Sequence, residues 1–310
     1  MRIHLIQLFE ETVRKYPEKT AVIDKDRTVN FSDLRRQAML TATTIAKLGI
    51  PQNKPIGVFL DKSIESVYAD LAILYAGDFY MNLDIKTPAE RIRNILELTE
   101  PAAIISNSAQ IKNIAAVIPD SVKLILVDEA DNEMAIDEQL LNSRRDTVID
   151  TDPSCIINTS GSTGTPKGVV LNHKSFFDFI DWSLETFGFG DNLVMGSLSP
   201  IVFDIYSFEL CMLMTKASTL VVLPAHLAAF PAKILEVLEK HQVNFLFWVP
   251  TIMVNIANMD LLSAFKLESL RTVWFAGEVF PTKQFNYWHR HLPQVTFANL
   301  YGPIEITLDC

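Results

Sequence analysis

Cysteine is scarce in this 310-residue chain: Cys155, Cys211 and Cys310 are scattered and odd in number. They form no disulfide framework and no metal-ligand spacing, which suits a reducing, cytoplasmic setting and reads each as a small buried hydrophobe. No apolar run is long enough to span a bilayer. The start, Met1-Arg2-Ile3-His4-Leu5-Ile6-Gln7-Leu8-Phe9-Glu10-Glu11, brings acid too early for a secretory signal. Positive charge is in deficit, with 27 Lys and Arg against 37 Asp and Glu and a net charge of −10. Broad binding to nucleic acid or an anionic membrane is therefore disfavoured, and an anionic substrate would need local cations. Internal repeats and low-complexity segments are absent too.

What is present suits a large core. Apolar residues make up 49% and charged residues 21%, in a chain long enough for two domain-sized units. A helical stripe runs from Ile3 to Val13 and stops before Pro17. Strands are expected at 20–24, 55–60, 102–107, 123–128 and 154–159. Helices are expected from a Ser32 cap to Leu48, from Ser63 to Ala76, and after a Thr87 cap with Pro88 in the first turn. Residues 129–152 are acidic and aperiodic, which predicts a surface excursion. Beyond them, helices at 173–186, 205–215, 231–241, 251–258 and 281–291 alternate with strands at 192–198, 218–223, 244–249, 270–276 and 295–300. Such alternation predicts an α/β fold of parallel sheets with helices on both faces. The Phe176, Phe177, Phe179 and Trp182 group has helical spacing and reads as packing. His173 reads as structural.

The most informative stretch is Ile156 to Val170. Between two apolar runs lie the hydroxyls of Thr159, Ser160, Ser162, Thr163 and Thr165, with Gly161, Gly164, Gly168 and Lys167. Glycines allow tight turns and close approach, while hydroxyls and backbone N–H groups donate to phosphate oxygens. A solvated Ser/Thr/Gly linker shares this composition. The common NTPase loop is excluded, because Pro166 stands where that pattern needs its second glycine. Gly188-Phe189-Gly190 fails as a dinucleotide fingerprint, because Leu193 occupies its third glycine. Three predicted strands run into polar motifs at their carboxyl ends, where open parallel sheets bind ligands. They lead to the 159–168 loop, to Gly277-Glu278, and to Tyr301-Gly302-Pro303-Ile304-Glu305. Asp204, after Phe203 at a helix start, could simply cap that helix. Tyr301 alone could be a core aromatic, and Glu305 a surface acid.

The string Thr159-Ser160-Gly161-Ser162-Thr163-Gly164-Thr165-Pro166-Lys167-Gly168 closely resembles the phosphate-binding signature of the adenylate-forming (AMP-binding) enzymes. Asn299-Leu300-Tyr301-Gly302-Pro303-Ile304-Glu305 resembles a second signature of that superfamily. Residues 28–34 and 76–88 are similar to weaker family motifs. The resemblance implies an N-terminal domain of two stacked parallel-sheet α/β subdomains, here 1–178 with the phosphate loop and 179–310 with the amino-acid and adenine site. It implies that Thr159 to Gly164, Gly277, Glu278, Asn299, Leu300, Tyr301, Gly302 and Ile304 contact ATP. Lys167 and Glu305 would be catalytic, and Glu305 would hold Mg²⁺, which favours hard oxygen ligands. Ile304 replaces the family's threonine and removes a hydroxyl.

Among amino-acid-activating members, the acid of a Phe-Asp pair binds the substrate ammonium, here Asp204. Side-chain-selecting positions would be Ile205, Phe208, Phe247, Trp274, Ala276, Leu300 and Leu308. All are apolar, which implies a small or compact apolar amino acid. The run Phe275 to Pro281 looks most like the D-alanine–carrier protein ligases, apart from Ala276 where those have cysteine. The implied reaction makes aminoacyl-AMP from an amino acid and ATP and passes the acyl group to a carrier-protein phosphopantetheine thiol. The family's β-barrel, ribose-binding Asp, hinge and mobile lid with its catalytic Lys match nothing in these 310 residues. The chain thus resembles the N-terminal part of a longer enzyme and is expected to be slow alone. Two alternatives stay open: a non-catalytic nucleotide- or amino-acid-binding fragment, and an acyl- or aryl-CoA ligase, against which Asp204 argues.

Overall fold

The computed structural model describes residues 2–129, 134–160, 166–190 and 192–308. In chain order the strands are β1 (Thr20–Asp24), β2 (Arg27–Asn30), β3 (Pro55–Val58), β4 (Phe79–Asn82), β5 (Ala103–Ser106), β6 (Lys123–Leu126), β7 (Pro153–Ser160), β8 (Pro166–Asn172), β9 (Val194–Ser197), β10 (Thr219–Val222), β11 (Phe245–Trp248), β12 (Thr272–Phe275) and β13 (Thr296–Asn299). The helices are α1 (Leu5–Lys15), α2 (Phe31–Lys47), α3 (Ile64–Tyr75), α4 (Ala89–Thr99), α5 (Glu138–Arg145), α6 (His173–Phe187), α7 (Asp204–Lys216), α8 (Pro231–Lys240), α9 (Pro250–Asn258) and α10 (Thr282–His291).

Two sheets result. One has seven strands in the order β13-β12-β11-β9-β10-β1-β2, the other six in the order β6-β5-β3-β4-β7-β8. Pairing is parallel except at β1–β2 and β7–β8. The N-terminal strands β1 and β2 join the seven-stranded sheet, so the two sheets do not divide the chain at a single point. Side chains alternate across each strand. Phe245 and Phe247 enter a large core that α1, α2, α3, α6 and α7 share with both sheets. Leu246 and Trp248 face the opposite way, into a second core beneath α8, α9 and α10. A third core lies under α4, on the outer face of the six-stranded sheet.

The periodic elements appear within a residue or two of their expected bounds. Caps differ more. Asn30, not Ser32, caps α2: its Oδ1 accepts from the Asp33 N–H at 2.7 Å. Pro88, not Thr87, is the N-cap of α4. The stretch 129–152, read as excursion, contains α5. This helix buries Leu141 and is held by Arg144, whose Nη2 donates to Asp78 at 2.9 Å. Strands β2, β4 and β8 were not anticipated: β4 is buried at all four positions and so shows no alternation. His173 is structural, as expected. Its Nδ1 accepts from the Leu5 N–H at 3.4 Å, and burial lowers its pKa to about 3. Cys155 and Cys211 are buried and free. Among the described residues, no helix is long and apolar enough to cross a membrane.

Asp70 of α3 lies in this interior, fully buried. Its Oδ2 accepts from Asn82 Nδ2 at 3.3 Å, and burial pushes its carboxyl up to about 7. A carboxyl raised in the folded state weakens the fold as pH climbs from its ordinary range through about 7, and costs nothing below that range. Asp70→Asn removes the penalty. Urea denaturation should find the variant more stable than the parent by on the order of 2–4 kcal/mol at about pH 8, with the gap closing towards about pH 4. A constant gap across that range would mean that Asp70 does not titrate there.

Candidate functional site

Parallel pairing fixes where the motifs meet. Trp248, Phe275 and Asn299 are register partners at the carboxyl ends of β11, β12 and β13. The segments after them, Val249-Pro250, Ala276-Gly277-Glu278 and Leu300 to Glu305, therefore leave the sheet at one edge. β9 runs parallel to β10 and β11, so the loop after it, Leu198 to Phe203, carries Asp204 to the same edge.

Two adjoining cavities open there. The first, of about 480 Å³, is lined by Asp204, Ile205, Ala276, Trp248, Val249 and Ile252, with Leu198 to Pro200, Phe203, Lys86, Ala225 and Ala228 completing it. The second, of about 740 Å³, gathers Gly277, Glu278, Asn299, Leu300, Tyr301 and Gly302 with Phe275, Phe280 and Phe285. Gly277 and Gly302 line both. Gly277 has φ +83°, a conformation that L side chains rarely adopt. A Cβ there would meet nothing closer than Val249 Cγ1 at 3.9 Å, so backbone conformation rather than space demands the glycine.

Each expected residue can be placed. Asn299 is exposed and Tyr301 is 79% exposed, on the second cavity. Glu278 Oε2 accepts from the Thr251 N–H at 3.0 Å and from its hydroxyl, which ties the β12 loop to the start of α9. Asp204 stands in the first turn of α7 with Oδ1 accepting from the Ile205 N–H at 2.9 Å. Burial raises its pKa, against the lowering effect of that hydrogen bond. Thr159 and Ser160 end β7 opposite Lys167 and Pro166 of β8, so the described parts of the phosphate-loop signature lie on two antiparallel strands. Gly161, Ser162, Thr163 and Gly164 lie outside the described residues. Lys167 and Glu305 are exposed and line neither cavity, but β8 lies against the 304–306 turn that carries Glu305. Ile304 is buried in the large core beneath that turn.

The substrate positions divide. Ile205 and Ala276 share the first cavity with Asp204, and Leu300 lines the second. Phe208, Phe247, Trp274 and Leu308 line neither and are buried in the large core. Trp274 stacks on Phe208 at 5.0 Å and packs against Phe187, Phe189, Phe245 and Phe247 at 4.5 to 5.6 Å. Sequence reasoning missed Trp248, Val249, Leu198 and Pro200 as lining residues. All four lie at carboxyl ends of parallel strands, the same positional signal that located the polar motifs.

The sheet order and the cavities at the carboxyl ends of the strands define an α/β protein with its candidate site at one sheet edge. The family model described as AMP-binding enzyme matches residues 9–310, and the chain belongs to that family. It is 27% identical over 318 residues to tyrocidine synthase 1 of Brevibacillus parabrevis, covering 97% of this chain and 26% of that one. It is 26% identical over 298 residues to L-proline–[L-prolyl-carrier protein] ligase of Pseudomonas fluorescens, covering 95% of this chain and 60% of that one. A solved structure of McyG A-PCP with phenylalanyl-adenylate superposes with TM-score 0.87 at 20% identity, covering 99% of this chain and 51% of the other. IdnL7 superposes with TM-score 0.83 at 24% identity, covering all of this chain and 62% of that one. This chain thus spans only part of the relatives it matches.

The aromatic block makes a stability test. Trp274 is fully buried, so Trp274→Ala should cost roughly 3–5 kcal/mol in a denaturant titration. A loss under about 1 kcal/mol would show that the block collapses to refill the space.

Proposed function

We propose that this chain carries the amino-acid- and ATP-binding portion of an amino-acid-activating ligase. A substrate carboxylate oxygen attacks the α-phosphorus of ATP. The bond from that phosphorus to the bridging oxygen breaks, and pyrophosphate leaves with the electron pair. The product is an aminoacyl-AMP, which the whole enzyme passes to the phosphopantetheine thiol of a carrier protein. The observation that carries this reading is the pair of adjoining cavities. One holds a half-buried acid suited to an ammonium, and the other an exposed aromatic and amide suited to adenine.

Charge supports the assignment. Burial makes the Asp204 carboxylate costly when unpaired, and a substrate ammonium offsets that cost. The apolar walls favour a small or compact apolar side chain. The run Phe275 to Pro281 puts D-alanine among the candidates. Lys167, at the start of β8, supplies positive charge to the phosphates. Glu305 offers one exposed carboxylate, and Mg²⁺ commonly binds through one or two carboxylates plus substrate phosphates. The residues therefore fit Mg²⁺, which would neutralise charge on the phosphates.

Pyrophosphate exchange with a panel of glycine, D- and L-alanine, L-valine, L-proline and non-amino carboxylic acids tests the reading. Exchange, or calorimetric binding where turnover is slow, should appear with a compact amino acid. A response to the simple carboxylic acids alone would overturn it.

Lys167→Ala should weaken Mg-ATP binding and leave amino-acid binding nearly unchanged. Equal ATP affinity in calorimetry would remove Lys167 from the nucleotide site. Removing one partner of a buried ion pair typically costs roughly 3–5 kcal/mol, so Asp204→Asn should lower amino-acid affinity at least about a hundredfold and spare ATP. Asn can still accept the Ile205 N–H, so unchanged amino-acid affinity in this variant would reduce Asp204 to a helix-end residue.

A further inference from the structure

The loop Leu198 to Phe203 forms one wall of the first cavity and ends at Asp204. It leaves the seven-stranded sheet, yet side chains from the six-stranded sheet hold it. Lys62, between β3 and α3, donates from Nζ to the Ser199 carbonyl at 2.6 Å. Asn82, at the end of β4, donates from Nδ2 to the Ile201 carbonyl at 3.1 Å. The residue between the two tethered carbonyls is Pro200, whose ring locks φ.

Each tether is backed by a carboxylate. Lys62 Nζ lies 3.1 Å from Glu209 Oε2 on α7, and Ser197 Oγ donates to the same oxygen. Asn82 Nδ2 also donates to Asp70. The Lys62 and Glu209 side chains are 9% and 1% exposed. A buried ion pair is weak evidence for stability, because apolar residues of similar volume often serve the core as well or better. An apolar pair cannot donate to the Ser199 carbonyl.

We propose that Lys62, with Glu209 as its counter-ion, is a positioning residue that holds the 198–203 loop and so aims Asp204 into the cavity for a substrate ammonium. This rests on the amino-acid reading above. Lys62 touches no reacting atom. It acts through the loop, and its loss loosens the amino-acid site while sparing the nucleotide site at the other cavity. The tether also makes amino-acid affinity depend on how the two sheets sit against each other.

The double variant Lys62→Met/Glu209→Gln tests this in the full chain, since it leaves no buried charge unpaired, whereas Lys62→Met alone strands Glu209. Glu209→Gln alone would likewise strand the Lys62 ammonium, so the parent protein is the reference. Two readouts are taken: amide hydrogen exchange over 199–206, and calorimetric affinity for glycine, D- and L-alanine, L-valine, L-proline and Mg-ATP. The double variant should exchange faster across the loop and bind its amino acid roughly ten- to a hundredfold more weakly. ATP affinity should stay within about twofold of the parent. Unchanged loop exchange in the double variant overturns the tether with no reference to any ligand. Faster exchange with unchanged amino-acid affinity overturns the positioning role. A parent protein that binds ATP but none of the amino acids overturns the amino-acid reading itself, and the parent arm shows this separately.

Discussion

The parallel register of β9, β11, β12 and β13 is the constraint on which the site depends. Because these strands point the same way, every chain segment leaving them emerges at one edge. Segments far apart in sequence, such as Asp204, Gly277 and Tyr301, thereby border two joined cavities. β9, β11 and β12 are short and almost wholly buried, and the interior faces of β11 and β12 carry Phe245, Phe247 and Trp274. Packing of those rings holds the edge in shape, so core and site are one assembly.

Polar groups are buried where the two sheets meet. Lys62, Glu209, Asp70 and Asn82 lie between α3, α7 and the ends of β3, β4 and β9. Each is costly to bury, and each makes a hydrogen bond that an apolar replacement could not. Two of these bonds end on carbonyls of the loop before Asp204. These buried polar groups are thus placed where two of their bonds shape the wall of the amino-acid cavity.

The β7–β8 hairpin brings the other half of the chemistry from the six-stranded sheet. Its antiparallel pairing sets Thr159 against Lys167, and β8 lies beside the turn bearing Glu305. Charge-bearing groups from the two sheets therefore approach one another, although 138 positions separate Lys167 from Glu305 in the sequence. Buried Ile304 anchors that turn in the core, which gives the residue standing at the family's threonine position a packing role.

Local chemistry determined much of this protein from sequence alone. Period-2 and period-3.6 patterns place nearly all helices and most strands, because each element must bury one face. Gly277 and the 299–305 run are legible because positive φ and strand-end position leave few residue choices. The capping error at Asn30 arose because neighbouring polar residues compete for the same cap, and at Pro88 because backbone geometry alone sets where α4 begins. Helix α5 was invisible because it buries little, and β4 because it is buried on both faces. Tertiary structure alone decided that β1 and β2 join the distant sheet, since pairing partners are not encoded in local pattern. It alone turned Phe208, Phe247 and Trp274 into a packed block rather than an open cavity lining: apolar positions read alike whether they face a ligand or each other. The reach of Lys62 to the Ser199 carbonyl was likewise unreadable, because a lone lysine after a strand shows its partner only when the two sheets are packed together.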